Sequence, residues 1–404
     1  MKLMFKTAAA TALITAAGLA HGSFSDDKVK IGVLTDMGGV YSDITGQGSI
    51  EAVQMAVDDF GGQVLGKPIE VISADTQLKP DIGSTIARQW IENEQVDVIN
   101  GAVASSVTGA VTEVMSNAKK ITLIAAPASH VFTTSACSPY NAHWSYDVVS
   151  LANGTVKPMV AGGKNKWFFI TADYGFGHAL ESVATGVIEA NGGEVVGGVR
   201  APLGTSDFSS YILQAQSSGA DVIALANTGS DMVNALKTAA EFGVTEMAEV
   251  AGLLVFTPNA QALDPAIAGG MKLTTGFYWD MDDQTREWSK RYMARMDGKI
   301  PSMAQAGAYS STMHYLKAVE AVGTDESDAV MAKMKETPVE DFFSRNGYLR
   351  KDGRMVHDML QVRIKNADER SNENDIFAIE RVIKGEDAFL KLEDGGCAFA
   401  LSQE

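Results

Sequence analysis

Two short runs of small and hydroxylated residues have the types and spacing to grip an anion. Residues 100–108 read Asn100-Gly101-Ala102-Val103-Ala104-Ser105-Ser106-Val107-Thr108, where a β-type run passes into a helical one. Residues 125–130 read Ala125-Ala126-Pro127-Ala128-Ser129-His130 at the end of the next such run. The first turn of a helix leaves backbone amides unpaired at the positive end of its dipole, so hydroxyls added there make a site for negative charge. If the two runs are neighbouring strands, Ser105, Ser106, Ala128 and Ser129 converge on one rim. There a carboxylate accepts several charge-assisted hydrogen bonds, each worth roughly 1.5–3 kcal/mol when water is excluded. Taken alone, Ser105 reads equally well as an N-cap.

Aromatic residues recur at the other strand ends. Tyr41 follows the first β-type run, Trp144 and Tyr146 lie in and just after an irregular stretch, Tyr174 and Phe176 follow a later strand, and Phe256, Tyr278 and Trp279 follow others. Asn227 closes the run 221–226. A single aromatic is more often core than ligand contact. As a set on one rim they predict an apolar, aromatic-lined pocket.

Catalytic constellations are absent from the sequence. There is no Gly-x-Ser-x-Gly nucleophile elbow. The six histidines (His21, His130, His143, His178, His314, His357) show no metal-ligand spacing. Gly175-Phe176-Gly177 opens a helix, but Leu180 stands where a dinucleotide motif needs its third glycine. Asp280, Asp282 and Asp283 suit a helix start better than a calcium loop, whose sixth position would be Thr285 rather than glycine. The expectation is a binding protein with no enzyme activity, metal or cofactor.

These residues need a scaffold that brings strand ends together. From residue 29, short β-branched runs alternate with stretches of helical period, as in parallel βαβ units. Strands are predicted at 29–36, 68–74, 96–100 and 121–125, with helices at 49–60, 81–94 and 106–119. After the irregular stretch at 138–146 the alternation restarts: helices at 151–160, 177–190, 208–217 and 231–242, and strands at 167–171, 194–199 and 221–226. A strand at 272–279 leads to helices at 284–296 and 304–322, and 354–365 and 375–382 read as antiparallel strands. The fold class is α/β, with two doubly wound parallel-sheet lobes whose strand ends face a shared cleft.

The 404-residue chain, 46% hydrophobic, has room for two such cores. Its formal net charge is −17, which makes nucleic acid and anionic membranes poor partners. Residues 1–22 carry Lys2 and Lys6, an apolar stretch and the small-residue end Ala20-His21-Gly22, the pattern of a secretory leader cleaved near Gly22. An uncleaved anchor is the alternative. No later segment approaches the ~20 apolar residues of a membrane span. The two cysteines, Cys137 and Cys397, suggest one disulfide in an oxidising compartment; two buried thiols are the other possibility.

The chain resembles the periplasmic branched-chain amino acid binding proteins, the extracellular receptors of ABC importers with the type I periplasmic-binding fold. The resemblance covers nearly the whole mature chain and rests on Val29-Lys30-Ile31-Gly32-Val33-Leu34, Gly101 through Ser106, Pro127-Ala128-Ser129, Thr171-Ala172-Asp173-Tyr174-Gly175-Phe176-Gly177 and Asp207-Phe208-Ser209. It implies a three-strand hinge, with a first lobe of residues 23–144 and 275–350, a second of 145–274 and 351–390, and a tail of 391–404. It also implies a periplasmic, monomeric receptor with an ABC permease as partner. Ser105 and Ser129 resemble the positions that hold the α-carboxylate and α-amino groups of an amino acid. Where amino acid binders place an acid against the α-ammonium, this chain reads Ala251-Gly252-Leu253-Leu254-Val255-Phe256. A buried ammonium without a counter-charge is costly, so the expected ligand is a small carboxylate with an apolar or aromatic body unless Asp231 substitutes. The stretches His143-Trp144-Ser145-Tyr146-Asp147 and Phe277-Tyr278-Trp279-Asp280 are similar to the aromatic-acid-binding branch of the family. The contacts expected are Tyr41, Ser105, Ser106, Ala128, Ser129, Tyr146, Tyr174, Phe176, Asn227, Phe256 and Tyr278. An amino acid receptor, a secreted hydrolase and a sensory ectodomain are the alternatives.

Overall fold

The computed structural model describes residues 24–402. The leader read at 1–22 lies outside the described residues. Strand β1 (Val29–Thr35) is buried along its whole length, as expected of a β-branched run covered on both faces. It sits inside a six-stranded sheet with β2 (Gln63–Val64), β3 (Lys67–Asp75), β4 (Val98–Gly101), β5 (Ile121–Ile124) and β6 (Asn141–His143), in the order β2-β3-β1-β4-β5-β6. All its pairings are parallel except the β2–β3 hairpin. Helices α1 (Gly46–Phe60), α2 (Pro80–Gln89) and α3 (Ser105–Asn117) make the crossovers.

After α4 (Val148–Ala161) the strands β7 (Lys166–Ala172), β8 (Glu194–Ala201), β9 (Val222–Ala226) and β10 (Glu249–Gly252) form a second parallel sheet in the order β10-β9-β7-β8. Its crossovers are α5 (Gly175–Ala190), α6 (Ser209–Gln216) and α7 (Gly229–Glu241), followed by the short α8 (Thr257–Gln261) and α9 (Pro265–Ala268). The short β10 carries too few apolar residues for its period to show in the sequence. The run expected as one strand at 272–279 ends early as β11 (Lys272–Thr275). β11 pairs with neither parallel sheet. It joins β14 (Met359–Ile364) and β15 (Phe377–Ile383) in an antiparallel sheet, while β12 (Tyr348–Leu349) and β13 (Met355–Val356) form a small hairpin.

Helices α10 (Asp283–Arg295), α11 (Met303–Val322) and α12 (Ser327–Glu336) return to the first sheet. The Asn100 amide at the end of β4 donates to Ala308 O, Ser311 Oγ and Thr312 Oγ1 at 3.0–3.1 Å and fixes α11 against the strand. Among the described residues no helix is long and apolar enough to cross a membrane.

The three passages expected between the lobes fall just after β6, β11 and β12. The buried Arg354 ties the first of these to the last. Its guanidinium donates to the carbonyls of Trp144 and Tyr146 and to that of Met355, pairs with Asp147 at 3.5 Å, and lies 4.5 Å from the ring centre of Phe389. Burial holds its pKa down to about 10. His357 lies between two carbonyls, Ser145 O at 2.9 Å and Asp358 O at 2.8 Å, and burial beside Arg354 pushes its pKa down to about 4. Cys137 and Cys397 are joined by a disulfide, with their Cα atoms 5.9 Å apart.

Candidate ligand cleft

The carboxyl ends of β1, β4 and β5 face those of β7, β9 and β10 across a narrow, nearly filled cleft with a free volume of about 20 Å³. The first lobe contributes Tyr41, Ile44, Val103, Ser105, Ala126 and Ala128; Tyr146 comes from just beyond the first passage, and the second lobe adds Tyr174, Phe176, Thr228, Leu254 and Phe256. Strand ends line it because parallel strands deliver all their following loops to one edge.

Local backbone decides which residue of each run reaches the cleft. Gly101 has φ +109°, and a Cβ there would lie 2.2 Å from Leu34 O, so only glycine lets β4 end against β1 and turn into α3. The helix N-cap is Ala104, not Ser105; Ser105 is the first helical residue. That corrects the N-cap reading and leaves its hydroxyl unengaged by the described residues, beside the free amides of the first turn. Ser106, one position on, is turned about 100° around the helix and is exposed, away from the cleft.

The same alternation sorts the remaining expectations. Ala128 lines the cleft, whereas the next residue, Ser129, is extended and buried and does not line it. Thr228 lines the cleft while its neighbour Asn227 does not; Asn227 is buried, with both amide atoms unpartnered among the described residues. Tyr278 belongs to the core of the second lobe: its hydroxyl oxygen accepts from the amides of Ile376 and Phe377 at 3.1 and 3.3 Å, and its ring packs 5.3 Å from Phe377. Tyr41, Ser105, Ala128, Tyr146, Tyr174, Phe176 and Phe256 are brought together. Ile44, Val103, Ala126, Thr228 and Leu254 were not anticipated, although Ala126 and Leu254 lie within runs the sequence singles out.

The walls are held shut. The Tyr41 and Tyr174 hydroxyls hydrogen-bond each other across the cleft, and burial raises both pKa values, keeping the phenols neutral and able to donate. Gly229, at φ +67°, opens α7 where the lobes meet: a Cβ there would lie 2.8 Å from Val40 O and 3.3 Å from the Tyr41 ring. Tyr146 donates its hydroxyl proton to Ala126 O, and its ring meets Phe256 edge-on at 5.8 Å. None of the lining residues is charged. Behind the wall Asp231 accepts from the Gly204 amide at 3.0 Å with Oδ2, and Oδ1 has no partner among the described residues. Burial pushes its pKa up to about 6, and its charge also raises those of Tyr41 and Tyr174. Among the described residues no group of His, Cys, Asp and Glu could hold a metal ion.

Two α/β lobes around an uncharged interlobe cleft are the architecture of solute receptors, and residues 28–370 match the profile described as periplasmic binding protein. The chain belongs to that family. This periplasmic binding protein is 45% identical to a solved periplasmic binding protein from Burkholderia mallei, with a TM-score of 0.90 over 92% of this chain and 99% of that one. It is 37% identical to a branched chain amino acid ABC transporter periplasmic ligand-binding protein from Burkholderia xenovorans, with a TM-score of 0.82 over 92% and 99% of the two chains. A Leu/Ile/Val-binding protein homolog from Brucella melitensis is 25% identical over 340 residues, 81% of this chain and 84% of the relative. The protein is thus a periplasmic substrate-binding component of an ABC transporter, with a small-molecule ligand and permease subunits as partners.

Proposed function

We propose that the cleft captures a small carboxylate with an aromatic body and delivers it to the permease without any chemical step. The observation that carries this reading is the lining itself: five aromatic side chains, no charge, and an unengaged Ser105 hydroxyl at the first turn of α3. The carboxylate would take the amides of that turn and the Ser105 hydroxyl, while Tyr146, Phe176 and Phe256 enclose the ring. Ligand contact with both lobes would favour the closed form, and the permease would read that form. The mature receptor would start near Gly22, in the periplasm, and act as a monomer.

A branched-chain or other amino acid is the second reading. It is favoured by the unpartnered Oδ1 of Asp231 behind the cleft wall, which stands ready to accept from an ammonium. A thermal-shift screen of the mature protein separates the two, since a ligand at 100 times its Kd adds about 2.7 kcal/mol of stability. A shift with benzoate-type acids and none with leucine or valine supports the aromatic reading. The opposite pattern assigns Asp231 to an ammonium and removes that reading.

A further inference from the structure

The C-terminal tail makes a passage between the lobes of its own. It leaves β15 at the edge of the antiparallel sheet and is tied there first: Lys384 pairs with Asp358 at 2.8 Å, the Gly385 amide donates to Asp358 at 3.1 Å, and the Asn153 amide of α4 donates to Ala388 O at 3.1 Å. Phe389 then lies against the hinge, its ring 4.5 Å from the Arg354 guanidinium and 5.4 Å from His357. Arg350 donates to Leu390 O at 2.7 Å. Beyond that the tail reaches the first lobe, where Cys397 is bonded to Cys137 in the loop before β6 and Phe399 sits under Lys335 of α12. The disulfide spans 260 residues of sequence. Both sheets of the second lobe, β7 to β10 and β11 with β14 and β15, lie inside that covalent loop.

We infer that the tail is a fourth, disulfide-closed strap across the hinge, and that the Cys137–Cys397 bond sets ligand affinity from outside the cleft by limiting how far the lobes open. The physical reason is an asymmetry between the two states. In the closed form the strap is fully seated, with Phe389 stacked on Arg354, the residue that ties the first passage to the last. Opening about the hinge moves the second-lobe end of the strap relative to the first-lobe end, and the disulfide prevents relief by peeling the tail away. A cross-link lowers the entropy of the looser state more than that of the compact one. Removing it therefore enlarges the open population, and apparent affinity falls with the fraction of closed, binding-competent protein.

The test is the double variant Cys137→Ser/Cys397→Ser, read by small-angle scattering without ligand and by calorimetric titration with benzoate. A larger radius of gyration than wild type, with benzoate bound roughly three- to tenfold more weakly, is the expected result. As a second variant, Gly-Ser-Gly inserted after the exposed Lys391 lengthens the strap while keeping the disulfide, and the same changes are expected in the same direction. Loss of thermal stability with unchanged radius and affinity would show a simple staple and overturn the inference; so would tighter binding. If wild type does not bind benzoate, the ligand reading has failed, and the scattering of the free proteins still decides the strap.

Discussion

The two walls of the cleft are built on different principles. In the wall from β1, β4 and β5 the ends of β4 and β5 contribute small side chains, Ser105, Ala126 and Ala128, that bring backbone close to the cavity beside the larger Tyr41, Ile44 and Val103, and polarity comes from the first turn of α3. The opposite wall presents bulk, in Tyr174, Phe176, Leu254 and Phe256, and keeps unpartnered polar atoms at or just behind its surface in Asn227, Thr228 and Asp231. Under the proposed function, the difference would assign charge and shape to separate lobes. A charged ligand group would be met by fixed dipoles that need no counter-ion, and an apolar body by side chains that can change identity without disturbing the anion site.

The comparison breaks most visibly if a shape residue is removed. Phe256 is 3% exposed and packs on Tyr146, so Phe256→Ala should cost about 3–5 kcal/mol in urea unfolding. It should also abolish measurable binding of an aromatic acid in calorimetry. Retained affinity would mean that the second wall does not hold the ligand body.

Asp231 sharpens the contrast through pH. Its folded pKa of about 6 lies above the ordinary carboxylate value of 3.8, so the native state holds the proton more tightly than the unfolded chain does. The resulting stability is fully present below about pH 4 and lost as pH rises through about 6, with a ceiling of roughly 3 kcal/mol from a shift of about two pH units. Asp231→Asn should remove this increment from a pH series of urea midpoints. A variant whose stability profile still matches wild type between pH 4 and 7 would show that Asp231 is not the group responsible.

On the first wall the expected change is smaller and confined to binding. Ser105→Ala should weaken a carboxylate ligand about tenfold, because one donor to a charged group is lost. Unfolding should be unaffected, since the hydroxyl has no partner among the described residues. Equal affinity would transfer the anion to the backbone amides alone. The smallest effect belongs to Tyr278→Phe: about 1 kcal/mol of stability from the two amides its oxygen accepts, and no change in titration with ligand. A change in affinity there would reinstate it as a contact.

The alternation that sets this fold was plain in the chain, because buried parallel strands such as 29–35 and 167–172 are predominantly apolar and their helices carry a 3.6-residue stripe. The short β10, β2 and the helix at 327–336 escaped for want of length or amphipathic contrast. For the cleft, residue type and strand-end position picked out seven of the lining side chains and four others that lie outside the lining. Ser106, Ser129 and Asn227 each stand one residue from a lining position, and a one-residue shift moves a side chain to another face of helix or extended backbone. Tyr278 lies beyond a strand that turned out to belong to the antiparallel sheet.

By itself, then, the sequence determined the layer architecture, the family and the stretches that border the cleft, since these follow from local periodicity and residue type. Tertiary structure alone decided the phase of each stretch against the cleft, the burial that lifts Asp231, the knot at Arg354 and the strap through Cys397. Each of those depends on groups far apart in the chain, Arg354 with Trp144 and Cys137 with Cys397, and their meeting is settled by how the lobes pack and not by any local pattern.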